Sequence, residues 1–185
     1  GDLYGYDFDH IESVIKLIEN AITGSVIVLP RGIYAEKSYD TLTIQYEEKK
    51  VHNFFDYKID VPGIFKIPEL GLTIRTELSS FPQIHKVNSK LKGSFDFDKM
   101  TNELHIRNRR PGDKFFPLGM KGCKKLQDFF VDEKVPRSKR DDIPILTCGN
   151  DIVWVVGYRM DERFKITENT RVQLDVSVIC HKDHD

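Results

Sequence analysis

The stretch that decides the fold class is Ile143-Pro144-Ile145-Leu146-Thr147-Cys148-Gly149-Asn150-Asp151-Ile152-Val153-Trp154-Val155-Val156. Two apolar runs, 143–147 and 152–156, flank the turn residues Gly149-Asn150, and this pattern predicts a β-hairpin. Downstream, residues 172–178 alternate apolar and polar side chains, as a strand with one buried face does. The C-terminal part of the chain is therefore expected to consist mainly of antiparallel strands.

On both sides of this hairpin, the sequence favours strands over helices. Strands are predicted over 25–29, 33–35, 42–46, 54–61, 64–67, 72–78 and 104–109. Helices are predicted only over 10–22, 124–133 and, after Pro136, through Asp141. The sequence thus predicts a strand-rich α+β fold with mixed or antiparallel sheets, a few short helices and two small domains.

The division into domains is expected at the polar, Lys-rich segment 81–93, which has the composition of a linker. We expect one helix-plus-strand domain over residues 1–88 and a second domain over 94–180. The charged run 47–50 is interpreted as a solvated loop.

Bulk composition excludes several classes of protein. Of the 185 residues, 39% are hydrophobic and 31% are charged, which indicates a folded chain with a polar surface. No apolar run approaches the roughly 18 residues that a membrane span needs, and no signal segment opens the sequence. Three widely spaced cysteines argue against a disulfide framework. These features predict a cytoplasmic protein without a membrane partner.

Motifs for catalysis are missing from the sequence. It contains neither a Walker-type phosphate loop nor Gly-x-Gly-x-x-Gly, and it has no Ser-Gly-Gly-x-Asp-Ser loop of the kind that holds pyrophosphate. Cys180, His181 and His184 form a weak set of metal ligands near the chain terminus, and an exposed tail is the simpler interpretation. We therefore expect no catalytic residue, no metal site and no cofactor in this chain.

The charge distribution points to a polyanion. Between His105 and Arg140 the chain carries eleven Lys or Arg against four acidic residues, while the rest of it is net acidic. Such local asymmetry is typical of a nucleic-acid-binding surface. On the predicted strand 104–109, Arg107 and Arg109 would share an exposed face opposite the core-facing Leu104 and Ile106.

Further basic residues extend this pattern, although structural roles stay open for them. Lysines 121, 124 and 125 lie where a loop meets a predicted helix, and residues 137, 139 and 140 form a third basic cluster. Basic residues also protect strand edges from aggregation. Arg110 with Asp113, and Arg140 with Asp141 or Asp142, are alternatively structural pairs. The phenylalanines at 115, 116, 129 and 130 either stack on bases or, like Trp154, fill the core.

The basic region also carries a family resemblance. Its motifs are Arg107-Asn108-Arg109-Arg110-Pro111-Gly112-Asp113-Lys114-Phe115-Phe116-Pro117-Leu118-Gly119-Met120, Lys124-Lys125-Leu126-Gln127-Asp128-Phe129-Phe130 and Val153-Trp154-Val155-Val156-Gly157-Tyr158-Arg159. With Phe164-Lys165-Ile166-Thr167, they resemble the C-terminal domain of tRNA(Ile)-lysidine synthetases. Residues 10–40 are similar to the segment that follows the catalytic domain in that family.

The resemblance implies a tRNA-binding role. Family members use ATP, with magnesium, to join lysine to the wobble cytidine of tRNA(Ile), and that ligase chemistry belongs to an N-terminal domain with the pyrophosphate loop. This chain resembles the C-terminal part, which contacts tRNA around the acceptor stem and would be inactive alone. Its implied partners are the tRNA(Ile) acceptor region and the catalytic domain, and a homodimer with a second copy stays open. The candidate tRNA-binding residues are Arg107, Arg109, Arg110, Lys114, Lys121, Lys124, Lys125, Arg137, Lys139, Arg140 and Arg159.

A protein-interaction or dimerisation module is the alternative hypothesis. In that case the strands would pair with a second subunit or dock on the catalytic domain. A stand-alone enzyme is disfavoured, because no nucleophile–base pair and no set of metal ligands stands out in the sequence.

Overall fold

The computed structural model describes residues 5–46, 54–80, 89–100 and 103–181. The chain divides into two units. The first comprises Gly1–His52 with Lys134–Lys139, and the second comprises Asn53–Glu133 with Arg140–Asp185. The charged run 47–50 and most of the expected linker, residues 81–88, lie outside the described residues.

The first unit packs one helix on a three-stranded antiparallel sheet. Its elements are α1 (Phe8–Asn20), β1 (Val26–Leu29), β2 (Ile33–Ser38) and β3 (Thr41–Tyr46), with sheet order β1-β2-β3. Asp7 starts the helix, because its side chain accepts from the His10 N–H at 3.1 Å. Leu17 of α1 packs with Leu29 and Ala35 in a small buried core.

The second unit contains the remaining strands and a short helix. These elements are β4 (Asp56–Ile59), β5 (Gly63–Ile67), β6 (Leu72–Ser79), β7 (Lys92–Asp96), β8 (Leu104–Arg107), β9 (Lys114–Phe115), β10 (Lys124–Lys125), α2 (Leu126–Asp132), β11 (Ile145–Cys148), β12 (Asp151–Val155), β13 (Arg159–Met160) and β14 (Gln173–Cys180). Five 3-10 turns complete the described part of the chain, at Pro30–Gly32, Pro68–Leu70, Phe97–Lys99, Arg137–Asp142 and Glu162–Phe164.

Two sheets and one ribbon make up the second unit. A five-stranded sheet has the order β13-β12-β11-β8-β4, a four-stranded sheet has the order β5-β6-β14-β7, and β9 and β10 form a two-stranded ribbon. The two larger sheets share one core, in which Phe95 and Trp154 bring their ring centroids to 5.7 Å. All pairings between these strands are antiparallel, so the strand-rich α+β prediction is confirmed.

The hairpin predicted over residues 143–156 is confirmed as β11 and β12, with the turn at Gly149-Asn150. The structure places the start of the second unit earlier than the sequence suggested. Strands β4 and β6, which fall within the expected domain 1–88, pair with β8 and β14 respectively. Within the described residues, no helix has both the length and the apolarity that crossing a membrane requires.

Candidate nucleic-acid interface

A two-stranded ribbon presents lysines at the centre of the basic region. Lys114 of β9 lies directly opposite Lys125 of β10, and Phe115 lies opposite Lys124. Phe115 is fully buried and packs edge-to-face on Phe129 of α2, with ring centroids 5.0 Å apart. Because successive strand residues point to opposite faces, this anchoring turns Lys114 and Lys125 together towards solvent, where both side chains are exposed.

This lysine pair is unfavourable without an anion. Like charges directly opposite each other on a β-ribbon repel and destabilise the pairing. Neither Lys114 nor Lys125 has an acidic partner among the ion pairs of the described residues. The arrangement is therefore suited to an external anion that bridges two ammonium groups.

Residues 116–123, here called the basic loop, join the two strands of the ribbon. Its base is fixed by backbone hydrogen bonds, from Leu118 N to Met160 O at 2.9 Å and from Glu162 N to Phe116 O at 2.6 Å. Gly119 adopts a φ of +79°, which a residue with a Cβ rarely does, and so allows the loop to turn. Beyond this turn Lys121 is exposed.

Two residues that the sequence analysis missed, Asp161 and Arg163, support the base of the loop. The fully buried Asp161 carboxylate accepts from Phe116 N at 2.9 Å and, through both of its oxygens, from the Arg163 guanidinium. Arg163 in turn lies 4.8 Å from the centre of the Phe116 ring. The hydrogen bonds that Arg163 donates to Asp161 hold the pKa of Arg163 above its ordinary value. In the sequence, Asp161-Glu162-Arg163 looks like an ordinary charged turn, so no local signal identifies it.

The prediction that Arg107 displays its guanidinium on an exposed face is wrong. Arg107 is buried and makes two parallel hydrogen bonds of 2.9 Å to the carboxylate of Asp113. Asp113, in the turn that follows β8, reaches back to Arg107 and holds its guanidinium against the protein. Strand β8 also ends at Arg107, so Arg109 lies beyond the strand and forms no row with it.

Arg109 and Arg110 both hold carboxylates and remain partly accessible. Arg109 Nε donates to Asp141 Oδ1 at 2.6 Å, and Arg110 Nη2 donates to Asp56 Oδ2 at 2.5 Å. Burial alone would raise the pKa of Asp56, but His105 and Arg110 outweigh this effect and lower it. The suggested Arg110–Asp113 pair is instead a contact of the Arg110 backbone N–H with Asp113 Oδ2, at 2.7 Å.

Lys124 and Arg159 meet acidic residues at the C-terminal end of α2. Lys124 pairs with Asp132, and Arg159 Nη2 lies 3.3 Å from Glu133 Oε1. Both pairs are exposed enough for solvent to screen them, with side-chain exposures of 23% and 57% in the first and 40% and 36% in the second. An RNA phosphate can compete for such cations.

The third basic cluster expected from the sequence is only partly exposed. Arg137 and Lys139 are exposed, whereas Arg140 is buried. Aromatic stacking on bases is equally unavailable at several positions, because Phe129, Phe130 and Trp154 are buried core residues. The core interpretation of these three is confirmed.

No group of three or more His, Cys, Asp or Glu side chains within the described ranges is placed to hold a metal ion. The three cysteines are free, with Cys148 buried and Cys123 and Cys180 exposed. The fold and the site together define a strand-rich α+β module that presents lysines on a short ribbon and its loop.

Comparison with known proteins identifies the family of this module. Residues 104–176 match the family model described as the TilS substrate C-terminal domain. The chain is 40% identical over 174 residues to a tRNA(Ile)-lysidine synthase of Caldanaerobacter subterraneus and 35% identical over 196 residues to one of Clostridium tetani. The chain is therefore similar to the C-terminal region of tRNA(Ile)-lysidine synthases, and the resemblance indicated by its motifs is confirmed.

The extent of these matches is unequal. They cover 92% and 100% of this chain, but only 36% and 40% of the two relatives, so the chain spans well under half of their length. A crystal structure titled as a TILS C-terminal domain covers 71% of this chain and is itself covered completely, with a TM-score of 0.62. At 23% identity this match supports the fold alone.

Proposed function

We propose that the second unit binds tRNA(Ile), at the acceptor region, through the ribbon and the basic loop. One observation carries the proposal: Lys114 and Lys125 face solvent side by side, with Lys121 exposed in the loop between their strands. The names of the relatives support the choice of ligand, because they are synthases that act on tRNA(Ile).

The chemistry of a tRNA stem fits this surface. An A-form RNA helix hides its bases in a deep, narrow groove, so proteins read it through phosphates, 2′-hydroxyls and shape. Ammonium groups suit phosphates as point charges and need no fixed planar geometry. Arg109, Arg110, Lys124 and Arg159 are further candidates, because their carboxylate partners leave them partly exposed.

Binding to a tRNA(Ile) transcript, measured by fluorescence anisotropy over a series of salt concentrations, tests the proposal. Replacing both Lys114 and Lys125 by Gln should weaken binding about tenfold to a hundredfold, since each phosphate contact contributes on the order of 1 kcal/mol. The slope of log K against log salt should also fall by about two, because two fewer counterions are released.

A matched control removes two lysines from elsewhere. Lys66 and Lys92 are exposed residues of the four-stranded sheet, and their double Gln variant changes the net charge equally. This control should bind nearly as the unchanged chain does. Equal losses in both double variants would show a diffuse charge effect and reject the ribbon as the binding site.

The ligation reaction itself is not proposed for this chain. We infer that the ATP, with magnesium, and the lysine transfer implied by the family depend on the part of the relatives that this chain does not span. A catalytic domain in that part would be its partner within the longer protein. An ATP–pyrophosphate exchange assay on the 185-residue chain should accordingly give no signal above background.

A further inference from the structure

We propose that Glu162 is a positioning residue for RNA binding, which fixes the tip of the basic loop at Gly119. This inference rests on the proposed function, since it concerns the same surface. It assigns an acidic residue a favourable role in binding a polyanion.

The contacts of Glu162 tie it to the loop from two sides. Its backbone N–H donates to Phe116 O at 2.6 Å, at the start of the loop, and its Oε2 accepts from Gly119 N at 3.1 Å, at the turn. Its other carboxylate oxygen pairs with Lys165. One residue thereby connects the base of the loop to its turn, two residues before Lys121.

Asp161, the residue before Glu162, restrains the backbone from which the Glu162 side chain extends. Asp161 is fully buried and directs its carboxylate to Phe116 N and to Arg163. An isolated antiparallel β-bridge also joins the backbone of Pro117 to that of Asp161. A buried carboxylate with all these hydrogen bonds satisfied cannot shift without losing them, so Glu162 projects from a fixed point.

Fixing the loop favours binding because an ordered cation loses less conformational freedom when it meets a phosphate. Gly119 is a residue with wide backbone freedom, and the contact of its N–H with Glu162 adds to the Met120 N to Pro117 O hydrogen bond of 2.9 Å in holding the turn in one conformation. Simple electrostatics predicts the opposite sign, because removal of an acid from a basic surface should strengthen RNA binding. The two explanations therefore differ in the direction of the effect.

The experiment compares Glu162→Ala, Glu162→Gln and Asp128→Ala in binding to a tRNA(Ile) transcript. Glu162→Ala should weaken binding about threefold to tenfold, although it removes a negative charge and frees Lys165. Glu162→Gln should restore binding to within about twofold of the unchanged chain, because its amide oxygen can accept from Gly119 N. Asp128, an exposed acid of α2, is the matched control, and Asp128→Ala should bind equally well or slightly more tightly.

A double-mutant cycle with Lys121→Gln adds a readout that general destabilisation would not move. If Glu162 acts through the loop, Glu162→Ala should cost less affinity in the Lys121→Gln background. Binding by Glu162→Ala as tight as that of the unchanged chain, or a Gln variant as weak as the Ala variant, would overturn the inference. In either case the effect of Lys114→Gln with Lys125→Gln still reports on the proposed function separately. Absence of tRNA binding by the unchanged chain would reject both proposals.

Discussion

Basic side chains that look equivalent in the sequence differ greatly in what they can do. The Arg107–Asp113 pair has side-chain exposures of only 5% and 10%, whereas Lys114 and Lys125 are open to solvent. A buried, doubly hydrogen-bonded pair is a structural element, since removing one partner leaves an uncompensated charge in the interior. An exposed ammonium contributes little to stability and remains available to a ligand.

Arg107→Ala should therefore lower the free energy of unfolding by about 3–5 kcal/mol, because Asp113 stays buried without its cation. The single tryptophan, Trp154, lies in the core of the same unit and can report urea unfolding by its fluorescence. Lys125→Ala serves as the exposed counterpart and should change stability by less than about 0.5 kcal/mol. Similar losses for the two variants would contradict the assignment of Arg107 as structural.

At the scale of elements, the sequence predicted those helices and strands whose formation depends on interactions between residues close together in the chain. The β11–β12 hairpin follows from two β-branched runs around a Gly-Asn turn, and α2 follows from the spacing of Leu126, Phe129 and Phe130. The strands β9 and β10 are two residues long, too short for any period to appear. They exist because Phe115 is buried against α2, a tertiary contact that the sequence alone does not show.

The sequence indicated where to look for a candidate site but not which of its basic residues are accessible. Charge counting and the family motifs both pointed to the basic region 105–140. They could not show that Arg107 is buried in a pair with Asp113, or that Asp161 and Glu162 reach back to the loop from more than 40 residues downstream. Burial of a charge depends on which segment folds over it, and that information is not local.

Helix α1 carries both buried and exposed apolar side chains, which the sequence alone does not distinguish. Leu17 is 4% exposed in the core of the first unit, while Ile15 is 46% exposed. Leu17→Ala should cost about 2–4 kcal/mol, and so raise hydrogen-exchange rates of the α1 amides at least about thirtyfold. Ile15→Ala should have a much smaller effect, because nearly half of the Ile15 surface is already exposed and Ala favours the helix. Equal acceleration in both variants would show that the exposed face of α1 also contributes to stability.

At the scale of the whole molecule, the net charge of −1 gives no indication that several carboxylates of the second unit are held by hydrogen bonds or ion pairs. The pKa values of Asp56, Asp98, Glu103 and Glu162 all lie below their ordinary values. For Asp98 the main cause is the backbone N–H of Arg171, which donates to its Oδ2 at 2.6 Å. A carboxyl group with a lowered pKa in the folded state binds protons less readily there than in the unfolded chain.

Acid should consequently weaken the second unit. The stabilisation from these groups is fully present above the unfolded carboxyl pKa of about 4, and it is lost as the pH falls through the lower folded values. The urea midpoint followed by Trp154 fluorescence should decrease progressively from about pH 5 to about pH 3. Asp98→Ala should lower that midpoint at pH 7 and converge with the unchanged chain at low pH, where Asp98 is protonated in both states. A difference between the two proteins that persists undiminished at about pH 2 would mean that Asp98 stabilises the fold by packing and not by its charge.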